Sequence, residues 1–240
     1  MHSPLEQFVI KKIIPLELFG YDISFTNSSL YMVIATIIII ALQKFCLREA
    51  SIVPKRLQAF YELHHEFVVS MMRENSGEEG LRFFPLIFSL FMFILMANLL
   101  GMIPYSFTVT SHFVVTLSLA LFIFVFVTIV GLVRHGWHFF RFFLPEGIPI
   151  IIAPLLVLIE LISYCVRPFT LAIRLFANMM AGHILLKLFG AFTFMFGLAG
   201  IFPFVLNVFF TGFEIFIAAL QAYVFAVLSC IYLNDALHLH

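Results

Sequence analysis

The chain has 240 residues, 63% hydrophobic and 11% charged, with 13 Lys and Arg balancing 13 Asp and Glu and a mean hydropathy of +1.11. An ordinary globular domain is about 45–50% apolar and about 25% charged, so this chain has too little polar surface to coat a soluble particle. Disordered, collagen-like and disulfide-scaffold chains and normal soluble enzymes are excluded, and a net charge of zero leaves no basic field to recruit nucleic acid.

The N-terminus, MHSPLEQFVIKK, has no basic region followed by an apolar core and cleavage site, so no signal or transit peptide is expected. Residues 1–29 are read as an outer N-terminal segment. A helical crossing needs about 20 apolar residues. The first such run covers 30–46, with Lys44 snorkelling at its end. The most polar segment follows, 44–82. Within it, 55–75 places Leu57, Phe60, Tyr61, His64, Phe67 and Val68 at helical spacing, which predicts an amphipathic helix on the membrane surface. Residues 76–80 (Ser-Gly-Glu-Glu-Gly) read as a solvated loop. The uncharged runs 83–103 and 113–133 predict the second and third spans.

Residues 134–146 form an aromatic and basic interfacial stretch with the single tryptophan, Trp137. From 147 to 234 charges are sparse. The length is too great for two upright spans and lacks polar loops for four. A break over 190–203, marked by Gly190, Gly197, Gly200 and Pro203, gives an antiparallel hairpin of two long helices that must tilt strongly or run partly along the membrane. The predicted fold is thus a single all-α membrane domain of about five membrane helices plus a surface helix. Lys44, Arg48, Lys55, Arg56, Arg73 and Arg82 follow the first span, and Arg134 and Arg141 follow the third, which puts these connections on the cytoplasmic or matrix side. Lys11 and Lys12 pull weakly the other way.

Cys46, Cys165 and Cys230 are far apart and show no metal or redox spacing, so small buried hydrophobes are expected. No histidine pair (His2, His64, His65, His112, His135, His138, His238, His240) marks a metal site, and no cofactor is predicted.

Ionisable residues inside a span are costly and point to function. In the first hairpin helix Glu160, Arg167 and Arg174 recur at seven-residue spacing with Asn178 beyond, a continuous polar stripe that also takes in Ser163 and Thr170. His183 faces about half a turn away from it. In the second, Asn207, Glu214 and Gln221 repeat the spacing, with Thr211 between. Folding the helices about the 190–203 break pairs residues whose numbers sum to about 392. That sets Arg174 opposite 218, within a turn of Gln221, Glu214 near Asn178, and His183 near 209.

Glu and His relay protons near neutral pH when their surroundings tune them. Arg keeps its proton, so it is a barrier and a fixed positive charge. Two half-paths separated by Arg174, with His183 and Glu214 outside and Glu160 inside, suit a device in which a partner's carboxylate carries the proton across the gap.

The run Arg167-Pro168-Phe169-Thr170-Leu171-Ala172-Ile173-Arg174-Leu175-Phe176-Ala177-Asn178-Met179-Met180-Ala181-Gly182-His183 strongly resembles the core of subunit a of the rotary proton ATP synthase. Residues 96–108 (MANLLGMIPYSFT) resemble that family's second span and loop. Gly212-Phe213-Glu214, Leu220-Gln221-Ala222 and Tyr232-Leu233-Asn234-Asp235-Ala236 resemble its last helix.

The resemblance implies that Arg174 is the essential arginine facing the carboxylate of a rotating subunit c ring, and that Asn178 and Gln221 support it. It implies outer half-channel roles for His183 and Glu214 and an inner one for Glu160. It also implies a non-catalytic, proton-conducting subunit whose partners are the c ring, the peripheral stalk subunit b, other ATP synthase subunits and membrane lipids. The His183 and Glu214 combination, Arg167, and Ser3-Pro4-Leu5-Glu6-Gln7-Phe8 resemble the mitochondrial and alphaproteobacterial branch, which implies the mitochondrial inner membrane or, alternatively, the inner membrane of an alphaproteobacterium. No GxxxxGK[ST] phosphate loop is present, so phosphate chemistry lies elsewhere. A proton-coupled secondary transporter is the competing class; repeated halves with broken helices would mark it, and none is visible.

Overall fold

The computed structural model describes residues 8–15, 17–18, 21–22, 24–48, 51, 53–103, 106–143 and 153–238. Residues 3–7, Pro104, Tyr105, Glu146, the expected hairpin start at 147–152, His2 and His240 lie outside the described residues, as does the Arg141 side chain.

The described part of the N-terminal segment pairs with itself. Strand β1 (Lys12–Ile14) is antiparallel to β4 (Phe25–Thr26), and β2 (Glu17–Leu18) is antiparallel to β3 (Tyr21–Asp22). Asn27 fastens this segment to the first helix: its Nδ2 donates to the Val9 carbonyl at 3.1 Å, and its Oδ1 accepts from the Lys11 N–H at 3.1 Å.

Helix α1 (Asn27–Leu47) starts at Thr26, whose hydroxyl accepts from the Ser29 N–H, a standard N-cap. It is apolar around most of its circumference. Ala35 and Ile39 are buried, while Val33, Ile37, Ile40 and Phe45 are exposed, as expected of a helix solvated by lipid.

Helix α2 (Arg56–Gly80) corrects two expectations. It runs through the predicted loop, interrupted only at Gly77, whose φ of 66° is open to glycine and costly for other residues. Ser76 is not solvated: it is fully buried, and its hydroxyl donates to the Met72 carbonyl at 2.8 Å. The apolar face also divides. Val68, Met71 and Met72 pack into the core, whereas Leu57, Phe60, Leu63 and Phe67 remain exposed. The helix therefore buries its C-terminal half most fully, while its N-terminal half touches the bundle through Tyr61 and His65, which meet the rings of Phe88 and Phe84.

Helix α3 (Phe84–Gly101) is buried along most of its length and packs against α1, α2 and α6 (Ile201–Leu237); α6 is the centre of the bundle, packing also against α4 (Phe113–His135) and α5 (Ala153–Met195). Asn98 is fully buried on α3. Its Nδ2 donates to the Ala218 carbonyl of α6 at 3.0 Å and its Oδ1 accepts from Thr110 at 2.7 Å, so one amide ties α3, α6 and the α3–α4 connection. Residues Gly136–Phe143 form a 3-10 turn after α4, with Trp137 87% exposed, consistent with an interfacial anchor.

The chain is an all-α membrane protein: among the described residues, five helical stretches are long and apolar enough to cross a bilayer. Helices α5 and α6, of 43 and 37 residues, form the long antiparallel hairpin. At 1.5 Å per residue each far exceeds the ~30 Å apolar thickness, so neither crosses upright. Gly190 does not interrupt α5. The turn is the shorter stretch after Met195, where Gly197 takes a φ of 54°.

This later, tighter turn corrects the expected register. Asn178 meets Gln221, not Glu214, and His183 meets Glu214, not 209. The displacement is about one and a half to two helical turns. Of the cysteines, Cys46 and Cys230 are buried, but Cys165 is exposed on α5, contrary to expectation.

The ends of the bundle are chemically distinct. At the end carrying the C-termini of α2, α4 and α6, Arg134 pairs with Glu79, and His135 Nε2 lies 3.2 Å from the Leu237 carbonyl. The Arg134 guanidinium bonded to Glu79 holds that exposed carboxyl below the usual glutamate range. At the other end the N-terminal segment folds over the α3–α4 connection, with His112 Nε2 3.0 Å from the Phe8 carbonyl.

Candidate functional site

The two polar stripes of the hairpin behave differently. On α6, Glu214 and Gln221 are buried and Asn207 half-buried, so this stripe faces inward against α5 and α3. On α5, Arg174 and Asn178 are exposed, along with Ser163, Thr170, Ala177 and Ala181. Around Arg174 that stripe looks outward from the chain, whereas Glu160 and Arg167 on it are half-buried. No carboxylate among the described residues pairs with Arg174. A permanent cation on an apolar, outward face is costly in lipid unless something covers it.

His183 lies nine residues beyond Arg174 and on the other side of α5, where it is buried. Its Nδ1 is 3.4 Å from Glu214 Oε1. Its Nε2 is 2.9 Å from the Thr108 hydroxyl of the α3–α4 connection. The aromatic ring of Phe8 approaches the imidazole with centroids 6.5 Å apart. Both Glu214 carboxyl oxygens are buried and accept no well-formed hydrogen bond among the described residues; His183 Nδ1, at 3.4 Å from Oε1, is at ion-pair distance. Buried polar atoms are normally satisfied, so this carboxyl is held where stability alone would not place it.

Gly182 makes the close approach possible. A β-carbon there would lie 2.6 Å from Glu214 Oε1, well inside contact distance. The glycine immediately before His183 therefore lets the glutamate of α6 reach across the hairpin.

Asn178 Nδ2 donates to Gln221 Oε1 at 2.8 Å. This amide pair joins the two helices one turn from Arg174; neither residue bonds the arginine itself. Glu160 is half-buried on α5, fourteen residues before Arg174. At 1.5 Å per residue it lies about 21 Å from the arginine along the axis, with His183 about 13 Å away on the other side. The structure brings His183 to Glu214 and Asn178 to Gln221; it keeps Arg174 and Glu160 apart from both pairs.

Arg167 has a partner that the sequence reasoning missed. Its Nη1 is 2.9 Å from Asp235 Oδ2, with both side chains largely buried. The guanidinium also lies 5.4 Å from the Tyr164 ring and 5.1 Å from the Tyr232 ring, within cation–π range. Tyr164 in turn exchanges a hydrogen bond of 2.7 Å with Thr128 of α4. The signal was present, because Asp235 falls on the seven-residue stripe of Asn207, Glu214 and Gln221. Asp235→Asn is expected to lower the thermal stability of the assembled protein by about 1–2 kcal/mol while leaving proton flow in place. Arg167→Lys should do the same, because an ammonium cannot pair and stack together. Additive losses in the double variant, measured by thermal unfolding, would contradict the coupling.

Residues 29–234 match the family described as ATP synthase A chain. The chain belongs to that family. Among curated relatives, the ATP synthase subunit a of Rhodospirillum rubrum is 52% identical over 241 residues, spanning the whole of both chains, and the protein of the same name from a defined strain of that species gives the same figures. Of the two compartments expected for this ATP synthase A chain family member, the bacterial inner membrane fits an alphaproteobacterial relative; the mitochondrial one gains no support. The family's printed description names an ATP synthase, so membership agrees with a subunit of that complex's membrane sector.

Proposed function

We propose that this chain is the stationary half of a proton-driven rotary device in the membrane sector of an ATP synthase. The outward-facing Arg174, paired with no carboxylate among the described residues, carries this reading. A fixed cation on an exposed apolar face fits a partner that presents an anion there, namely the carboxylate of a subunit c ring.

Protons enter from the outer side past His183 and Glu214 and neutralise a ring carboxylate, which then rotates into lipid. After nearly a full turn the site loses its proton towards Glu160, and Arg174 stabilises the anion. Because Arg keeps its proton, the two half-paths cannot short-circuit through it. Each proton delivers about 2.3 kcal/mol per 100 mV of membrane potential, plus the pH contribution. Subunit b and the remaining ATP synthase subunits are the other expected partners.

The partner assignment is tested by crosslinking in the assembled complex. Ala177→Cys, on the exposed face of α5 and made with Cys165→Ser to remove the other exposed thiol, is expected to capture a small helical hairpin with a central carboxylate. Capture of only peripheral subunits from this position would overturn the assignment.

A further inference from the structure

Thr108 sits in the α3–α4 connection, just before the 3-10 turn Val109–Ser111, and is fully buried. It meets the same imidazole that meets Glu214. The two ring nitrogens of His183 are divided between two partners: Nδ1 towards Glu214 Oε1 at 3.4 Å, and Nε2 towards Thr108 Oγ1 at 2.9 Å. Which nitrogen of a histidine carries the proton is set by the bond the other nitrogen makes. A hydroxyl both donates and accepts. It therefore bonds Nε2 when that nitrogen is bare and equally when it is protonated.

We propose that Thr108 is the positioning residue of the His183–Glu214 pair, its hydroxyl holding Nδ1 on Glu214 in each protonation state of the ring. This rests on the reading of His183 and Glu214 as a proton relay.

The seat of Thr108 is built from several independent contacts. Its Oγ1 is 3.4 Å from the Gly101 carbonyl, and a β-carbon at Gly101 would come within 2.6 Å of Thr108 Cγ2. The glycine that ends α3 thus leaves the room the threonine fills. Ser111 Oγ donates to the Thr108 carbonyl at 2.6 Å and fixes the turn. Thr110 is bonded to Asn98, which is bonded to the carbonyl of Ala218, one turn past Glu214 on α6. The loop that carries Thr108 is therefore pinned to the helix that carries the glutamate. Among the described residues, the charged groups around His183 are Glu214 from α6 and Lys187 one turn along α5. The N-terminal segment contributes the Phe8 ring, and the α3–α4 connection contributes the Thr108 hydroxyl.

The test compares Thr108→Val, which keeps the shape and removes the hydroxyl, with Thr108→Ser, which keeps the hydroxyl. Both are made in the whole ATP synthase in sealed vesicles, where ATP synthesis driven by an imposed proton gradient is measured beside Glu214→Gln. The expected result is a loss of about tenfold for Thr108→Val, the worth of one buried hydrogen bond, and near-normal rates for Thr108→Ser. Equal losses in both variants would mean that the methyl group matters and the hydroxyl does not, which overturns the proposal. Normal synthesis in Thr108→Val with synthesis lost in Glu214→Gln overturns the threonine's role and leaves the relay standing. Normal synthesis in Glu214→Gln overturns the relay and the threonine's role with it. Should valine prevent assembly, Thr108→Cys takes its place under the same criteria, because a thiol fills the site and hydrogen-bonds only weakly.

Discussion

Replacing Arg174 with alanine is expected to abolish proton-coupled ATP synthesis while leaving the complex assembled. Arg174 is exposed on α5 and supports no helix packing that the hairpin needs, whereas Leu171, Ala172 and Leu175 beside it are buried and carry that packing. Its contribution is electrostatic. At about 4 Å and an effective dielectric near 20, two unit charges attract by about 4 kcal/mol, close to a thousandfold in the population of a bare partner carboxylate. Arg174→Lys should recover little, since a lysine in an apolar setting can give up its proton and an arginine cannot. The measurement is synthesis driven by an imposed gradient in vesicles, with subunit content checked by gel. Undiminished coupled transport in Arg174→Ala would sink the rotary reading.

The second large effect is expected at Glu214. Glu214→Gln keeps the size of the side chain and removes its ability to take up and release a proton. A positioned general acid or base contributes about a hundredfold to ten-thousandfold to a proton-transfer step, so proton uptake from the outer side should fall into that range. Because Glu214 accepts no well-formed hydrogen bond among the described residues and its one polar contact, His183 Nδ1 at 3.4 Å, is long, glutamine disturbs little packing, and assembly should be unaffected. Synthesis rates measured at several outer pH values give the answer; a variant with normal rates at each pH would remove Glu214 from the path. Glu214→Asp should be intermediate, since a shorter carboxyl retreats from His183 Nδ1.

Much of the fold was legible because lipid is a severe solvent. A run such as 83–103 has few alternatives to a buried or spanning helix, and α3 occupies it. The surface helix was harder. The spacing of Leu57, Phe60 and Phe67 located an apolar face, but periodicity does not say whether lipid or protein covers it, and here α2 uses both. Residues 76–80 read as a loop from composition, yet only Gly77 leaves helical geometry, because burial of Ser76 against the bundle outweighs the weak helix propensity of the segment.

In the hairpin, the seven-residue spacing disclosed both polar stripes but not the register between them. Register depends on where one turn is placed, and the four candidate residues spread over 190–203 do not fix that point. A shift of a few residues at the turn decides whether His183 faces 209 or Glu214. The contribution of Thr108 was beyond pattern reasoning altogether: a lone threonine in a connection has no periodic signature, and only the tertiary fold carries it to the histidine.

The narrow contact between Gly182 and Glu214 bears on how the two positions vary among relatives. A methyl group on α5 at that level would occupy the place of the glutamate's carboxyl. The hairpin therefore has room for a methyl group at 182 only where the Glu214 side chain turns away from its present place. Relatives that enlarge the residue at 182 should carry a shorter or redirected one at 214. Joint variation of these two sites is a matter of shared volume, and counting it as a sign of proton transfer would mistake a steric bargain for a chemical one.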